Sequence, residues 1–273
     1  MSAFGFKMKT LAASVIMAAS VGASAAALTG ATITGNYIVW AEGAGGLLSP
    51  VAAPTAADIA TALGGSAAAP GGNVELSKFG GPVTTLSGIA NGHNVALSSL
   101  TYADWTSNSN ALAIRYIQDA AVSAFGTQLN AANLNTALTN FLNVDVDPSA
   151  SVRYLWQLVS DPNISYVDVT GNTLSVGLAG LYDATAFLNT LSAGTSAPVL
   201  TGLHQVSEVV KVNFDGSDPG YLYGFRATRS GVFAADLVSF TGNYDVQRVP
   251  EPAGLALLGA GLLGLLATRR RRA

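Results

Sequence analysis

The sequence has no cysteine among its 273 residues, which removes disulfides, thiolate metal sites and cysteine nucleophiles together. Charge is also scarce, with Asp, Glu, Lys and Arg making up 11% of the chain. The two histidines, His93 and His204, have no sequence neighbours that complete a recognisable triad. The patterns Gly-x-Ser-x-Gly, Ser-x-x-Lys, His-Glu-x-x-His and the phosphate-binding Gly-x-x-x-x-Gly-Lys-Ser/Thr are all missing, so no motif points to catalysis. On these absences the protein reads as a non-enzyme without a cofactor.

Basic residues are few and badly distributed. Lys7, Lys9, Arg269, Arg270, Arg271 and Arg272 sit in the terminal segments, leaving seven basic residues against 16 acidic ones between Ala26 and Pro252, a formal charge of −9. Such a body repels phosphate backbones, so nucleic acid is not an expected partner.

What is present is clearest at the two ends. Lys7 and Lys9 precede an apolar run over 11–21 and then Ala23-Ser24-Ala25, the order of charged, apolar and small-x-small segments that makes a signal peptide over 1–25, with Ala23 and Ala25 marking the cleavage site. A short buried helix is the alternative. The Sec machinery is the partner this implies. At the other end, Val249-Pro250-Glu251-Pro252 is followed by residues 253–267 without a charge, then Thr268 and four arginines. A helix over 253–268 would rise about 24 Å, short for a hydrocarbon core of about 30 Å but usable when arginines snorkel. The basic ends stay inside, which puts the body outside the inner membrane.

Val249, Pro250, Glu251 and Pro252, the apolar run, and Arg269, Arg270, Arg271 and Arg272 together resemble the PEP-CTERM sorting signal. The resemblance implies handling by an exosortase in a Gram-negative bacterium or cyanobacterium that makes exopolysaccharide, with the cell surface or extracellular matrix as destination and exopolysaccharide as a further candidate partner. A permanent tail anchor is the alternative reading of the same helix. The segment Gly259-Ala260-Gly261-Leu262-Leu263-Gly264 spells a dinucleotide fingerprint, but it lies inside an apolar run ended by arginines, where that motif carries no meaning. Stretches 160–180 and 207–249 also look similar to an uncharacterised family of PEP-CTERM proteins.

The body over 26–248 reads as one α+β domain with a mostly antiparallel sheet and a central block of helices. Strands are expected over 32–40, 74–79, 94–100, 206–214, 221–228, 231–240 and 244–249, and a hairpin joins 164–169 to 173–178 through Gly171-Asn172. Helices are expected over 56–63 with Thr55 as cap, 111–125, 134–142, 152–159 and 181–191. Residues 41–72 are rich in Gly, Ala and Pro and read as a loop carrying the first of these helices. The tetrapeptide Thr34-Gly35-Asn36-Tyr37 recurs as Thr241-Gly242-Asn243-Tyr244, suggesting that the first and last strands pair. Ser160-Asp161-Pro162-Asn163 reads as a turn.

Candidate sites in the body are sparse. Asp145 with Asp147, and Asp215 with Asp218, offer hard oxygen ligands to calcium, though neither pair has a calcium-loop spacing. Tyr221, Tyr223 and Phe225 lie on one face of a strand, and burial in a core is the favoured reading over sugar stacking. Arg115 and Asp119 read as a helix-surface pair. The expectation is therefore a surface or matrix protein with no catalysis of its own. The alternatives are an extracellular glycan hydrolase or lyase, marked by a cleft with convergent carboxylates and raised pKa values, and a lectin-like module, marked by exposed aromatics without paired acids.

Overall fold

Thirteen strands and four α-helices form among the residues described by the computed structural model, 26–76, 82–146, 153–217 and 219–248. The segments 1–25 and 249–273, with Ala23, Ala25, the sorting motif, the apolar run and the arginines, lie outside the described residues, as do Asp147 and Asp218. Among the described residues no helix is long and apolar enough to cross a membrane.

In chain order the elements are β1 (Ala26–Ala27), β2 (Thr29–Thr34), β3 (Tyr37–Glu42), β4 (Leu48–Pro50), α1 (Ala56–Ala62), β5 (Gly72–Leu76), β6 (Thr85–Ala90) and β7 (His93–Ser98). Then follow α2 (Tyr102–Phe125), α3 (Ala131–Asn143), β8 (Asn163–Thr170), β9 (Thr173–Gly180), α4 (Thr185–Leu191), β10 (Val210–Phe214), β11 (Gly220–Leu222), β12 (Thr228–Arg229) and β13 (Gly242–Arg248). The strands build two antiparallel sheets. The larger runs β12-β13-β9-β8-β5-β3-β4, with β1 added on β8, and the smaller runs β11-β10-β7-β6-β2.

The two sheets exist because their alternating apolar residues bury each other. Val39, Val74, Leu76, Ile164, Val167, Leu174, Val176, Leu178, Tyr244 and Val246 from the larger sheet join Leu86, Val95, Leu97, Val210 and Val212 from the smaller in one cluster. A second core fills the helical block, where Trp105, Tyr116, Ile117, Phe141, Leu155 and Leu188 pack together. Asp104 ties this block to the sandwich. It accepts from the Thr101 backbone N–H at 2.8 Å, capping α2, and from Lys211 Nζ at 2.7 Å and Tyr221 Oη at 3.0 Å on β10 and β11. A third, smaller cluster of Leu48, Ala179, Val232, Ala234 and Phe240, with Trp40 against it, covers the outer face of the larger sheet.

The α+β class stands, with two sheets in place of one. The hairpin appears as β8 and β9, closed by Thr170 opposite Thr173. Helix α1 carries its cap, with Thr55 and Asp58 exchanging hydrogen bonds. Other expectations fail for identifiable reasons. The strand read over 32–40 is broken at Gly35, whose φ of 106° suits glycine and whose added Cβ would stand 2.9 Å from the Thr84 Cα. Its two halves enter different sheets, β2 beside β6 and β3 between β5 and β4. The first and last strands do not pair, since β13 lies between β9 and β12.

Residues 41–72 are no plain loop, because they contribute the end of β3, all of β4 and α1, and the start of β5. The helix read over 111–125 is the latter part of α2, which is interrupted at Asn108, Ser109 and Asn110, all at positive φ. The helix read over 152–159 is reduced to a 3-10 turn at Gln157–Val159, and the strand read over 231–240 is irregular chain.

Gly72 shows how tightly β3 and β5 approach. Its φ is 148°, and a Cβ there would lie 2.1 Å from the Trp40 carbonyl oxygen. Gly72→Ala is expected to cost about 2–4 kcal/mol through strain and overpacking, read as a lower denaturant midpoint at unchanged slope. A loss below about 0.5 kcal/mol would show that the two strands can part there without cost.

Candidate functional site

The outer face of the larger sheet is polar and yet buried. On β5, Val74 and Leu76 enter the sandwich core while Asn73 and Glu75 point the other way, as the two-residue strand period requires. Trp40 is opposite Asn73 in register and so shares that face. Asn163 is opposite Glu75. Asn73, Glu75, Asn163, Ser165 and Asn243 are all buried, and Val232, Ala234 and Phe240 of the irregular chain over 231–240 pack with Trp40 and Ala179 beside them. Only part of this polarity is matched: Ser165 Oγ donates to Asn243 Oδ1 at 3.0 Å, whereas both polar atoms of the Asn73 amide lack a partner.

At the end of this face where β8 begins, a cleft of about 370 Å³ opens between the helical core and the small outer cluster. Its floor is Glu75 and Asn163, one wall is Trp40 and Phe240, and the helical block supplies Phe187, Val159 and Val206. The rings of Trp40 and Phe240 are tilted against each other with centroids 5.3 Å apart. Four acids line it, Glu75, Asp161, Glu208 and Asp236. Among the described residues no lysine, arginine or histidine does.

Backbone bonds hold the acids in place. Leu100 N donates to Ser160 O at 2.8 Å and Leu76 N to Pro162 O at 3.0 Å, gripping the chain on both sides of Asp161. What reads as a turn at 160–163 is therefore the buried approach to β8. The segment before β10 is fixed by Tyr116 Oη, which donates to Ser207 O at 2.7 Å, and by Val209 N, which donates to Val159 O at 2.9 Å. Glu208 stands between these two anchors. Its Oε2 accepts from Asn163 N at 2.8 Å and its Oε1 from Asn163 Nδ2 at 3.1 Å. Glu75 Oε2 accepts from Trp40 Nε1 at 3.0 Å.

The electrostatics follow from this packing. Desolvation first, and then the negative charges of Asp161 and Glu75, push the Glu208 carboxyl well above the usual carboxylate range. The two hydrogen bonds from Asn163 pull the other way and do not prevail. Glu208 is half-buried and lines the cleft. At the rim, burial raises Asp236, but bonds from Ser239 and from the backbone N–H groups of Val238 and Ser239 outweigh it and hold the carboxyl low. The site thus sets a carboxyl that resists ionisation beside further acids, together with apolar walls.

The residues singled out in the sequence lie elsewhere. Asp215 Oδ2 is 2.6 Å from His93 Nδ1, and its Oδ1 accepts from Asn94 N at 2.8 Å. The bond to His93, followed by that from Asn94, holds its carboxyl low, and the His93 ring stacks on Phe214 at 4.9 Å. His93 thereby gains a carboxylate neighbour 122 residues away that no local pattern announces. Asp145 Oδ1 accepts from Arg153 N at 3.0 Å. Among the described residues no group of three or more His, Asp or Glu side chains is arranged to hold a metal ion.

Tyr221, Tyr223 and Phe225 are partly buried against the helical core. Arg115 and Asp119 both reach Tyr223, whose hydroxyl accepts from Arg115 Nε at 3.1 Å and donates to Asp119 Oδ2 at 2.7 Å. Sequence reasoning missed the cleft itself. The available signal was Glu75 in Asn-Val-Glu-Leu and Glu208 in Val-Ser-Glu-Val-Val, acids set inside strand-like apolar runs.

In comparison with known protein families, residues 248–272 fit the PEP-CTERM protein-sorting motif. That motif implies an exported, membrane-anchored precursor that exosortase processes and that is sorted to the cell surface. No curated protein and no solved structure matches the chain, so no relative supports the resemblance of the body to an uncharacterised family.

Proposed function

We propose that this chain is a surface or extracellular-matrix component of an exopolysaccharide-bearing envelope, whose body binds a ligand in the acidic cleft and catalyses no reaction. It is delivered by the Sec machinery through a signal peptide over 1–25, held in the inner membrane by 253–268 with the body outside, and released or transferred by exosortase. The observation that carries this reading is the matched tail, with its Pro-Glu-Pro group, uncharged run and terminal arginines in order.

Intact mass of the protein from its native host, with and without the exosortase gene, tests it. A species lacking about the first 25 residues and the arginine tail, present only when exosortase is present, is the expected result. A tail retained in both strains would make this a permanently anchored protein and remove the main support for the exopolysaccharide setting.

A second reading, a glycan hydrolase, is favoured by one observation: Glu208 is held towards its protonated form beside the charges of Asp161 and Glu75, the pairing that acid catalysis of glycoside cleavage uses. New reducing ends appearing from a glycan under the action of the purified protein would select it over binding alone.

A further inference from the structure

We propose that the anchored precursor stands on the membrane by the hairpin end of its sandwich, which rests against the lipid headgroup layer, so that the helical block and the acidic cleft face away from the bilayer. This goes beyond the proposed function and rests on its membrane-anchor reading.

The two ends of the body share one rung of the larger sheet. Ala26 on β1 is opposite Val169 on β8, Val169 is opposite Leu174 on β9, and Leu174 is opposite Arg248 on β13. Three strand spacings separate Ala26 from Arg248, about 14 Å. Strand β8 runs towards the turn at Gly171-Asn172 and its antiparallel neighbour β1 runs away from it, while β9 leaves that turn and β13 returns. The chain therefore enters and leaves the body at the same end.

The smaller sheet ends there as well. Asn91 Nδ2, in the turn between β6 and β7, reaches Gly171 O at 3.5 Å, and Asp215, in the turn after β10, is 2.6 Å from His93 Nδ1 at the start of β7. The exposed turns read Asn91-Gly92, Gly171-Asn172 and Asp215-Gly216. These six residues are polar or glycine, with one carboxylate, and that one is paired. Such an end meets hydrated headgroups without inserting. The body as a whole, at −9 between Ala26 and Pro252, is repelled by an anionic surface.

The tether leaves little choice. Between Arg248 and the uncharged run at 253 stand only Val249-Pro250-Glu251-Pro252, a stretch that reaches at most about 18 Å. Gly22-Ala23-Ser24-Ala25 gives the same limit between Ala26 and the apolar run of the signal segment. The helical block lies at the opposite end of the sandwich, where Leu100 follows β7, Val159 precedes β8 and Val209 precedes β10. Asn163, on the floor of the cleft, is six positions along β8 from the shared rung at Val169, about 20 Å. An inverted body would need a tether of that length plus a helix diameter of about 10 Å, more than either connection can span.

The absence of cysteine lets single introduced cysteines report the orientation. The full-length precursor from an exosortase-free strain, carrying a fluorophore at one such position, is reconstituted in phosphatidylcholine–phosphatidylglycerol vesicles. These are made with and without a lipid bearing a nitroxide on its headgroup, which quenches at close contact. Asn172→Cys and Asn94→Cys mark the hairpin end, Ser123→Cys and Ala132→Cys the helical block, and Ser49→Cys and Ser87→Cys the flanks of the larger and smaller sheets. Quenching at least threefold stronger at Asn172 and Asn94 than at the other four positions is the expected result. Equal quenching at Ser49 or Ser87 means a body lying on its side, and equal or stronger quenching at Ser123 or Ala132 means an inverted one. Either result overturns the orientation and leaves the anchor standing. A chain ending at Arg248 and labelled at Asn172 is the reference. Full-length protein that stays free of the vesicles and is quenched no more than this reference overturns the anchor reading and the orientation together.

Discussion

Glu208→Gln is expected to raise the melting temperature at pH 7–8 and to flatten its dependence on pH. The folded carboxyl of Glu208 holds its proton to a higher pH than an unfolded glutamate, whose pKa is about 4.3. Its contribution to stability is therefore complete below about pH 4.3 and is lost as pH rises through the folded value. The groups that act on it are Asp161 and Glu75, with Tyr116 and Tyr244 sensing its charge in turn.

Glutamine removes the proton question. The backbone N–H of Asn163 still has an oxygen to donate to, and the Asn163 amide can turn over so that its Oδ1, now without a donor, accepts from the new amide nitrogen. A gain on the order of 1–3 kcal/mol at neutral pH follows from removing the cost of keeping this carboxyl protonated where an unfolded glutamate is ionised, or several degrees for a domain of this size. The lowered carboxyls of Asp104 and Asp215 act in the opposite sense and at lower pH, their stabilisation being lost as pH falls below about 4. Thermal melts of both proteins from pH 5 to 9 decide the matter. A variant that melts lower than the parent across that range would mean that Glu208 is ionised and stabilising.

Ending the chain at Arg248 is expected to leave the melting temperature of the body unchanged, whereas ending it at Thr241 is expected to prevent folding. The seven residues between are β13, which pairs with β9 at every position from Gly242 to Arg248 and also carries β12. Tyr244 and Val246 are 0% and 4% exposed, and losing two such side chains from a core costs on the order of 5 kcal/mol or more. That is comparable with the total stability of a typical domain, about 5–15 kcal/mol. Circular dichroism and melting of the two truncated chains provide the comparison. A folded protein ending at Thr241 would show that the last strand is dispensable.

What the sequence made legible was local. The cap formed by Thr55 and Asp58, the Gly171-Asn172 hairpin and the apolar spacing of α3 each depend on residues within a few positions of one another. The split at Gly35 was illegible because residues 32–40 alternate acceptably as a single strand, and only the approach of Thr84 shows that the chain changes sheets there. The cleft was illegible for a related reason. Asn73, Glu75 and Asn163 have the alternation of a solvent-facing strand surface, and their burial comes from tertiary packing that no local pattern announces. Likewise, Tyr116 and Val159 grip the backbone on either side of Glu208 from 91 and 50 residues away.

β13 has a further consequence for timing. The sorting motif begins at Arg248, the residue at which this strand ends. An exported chain emerges from its first residues onward, so β1, β2 and β3 reach the far side of the membrane early while β9 waits beside an open edge. That edge is closed by the last seven residues to cross ahead of the tail. The body thus completes its larger sheet only as the anchor arrives, and premature release would set free a molecule whose unpaired strand is a template for aggregation.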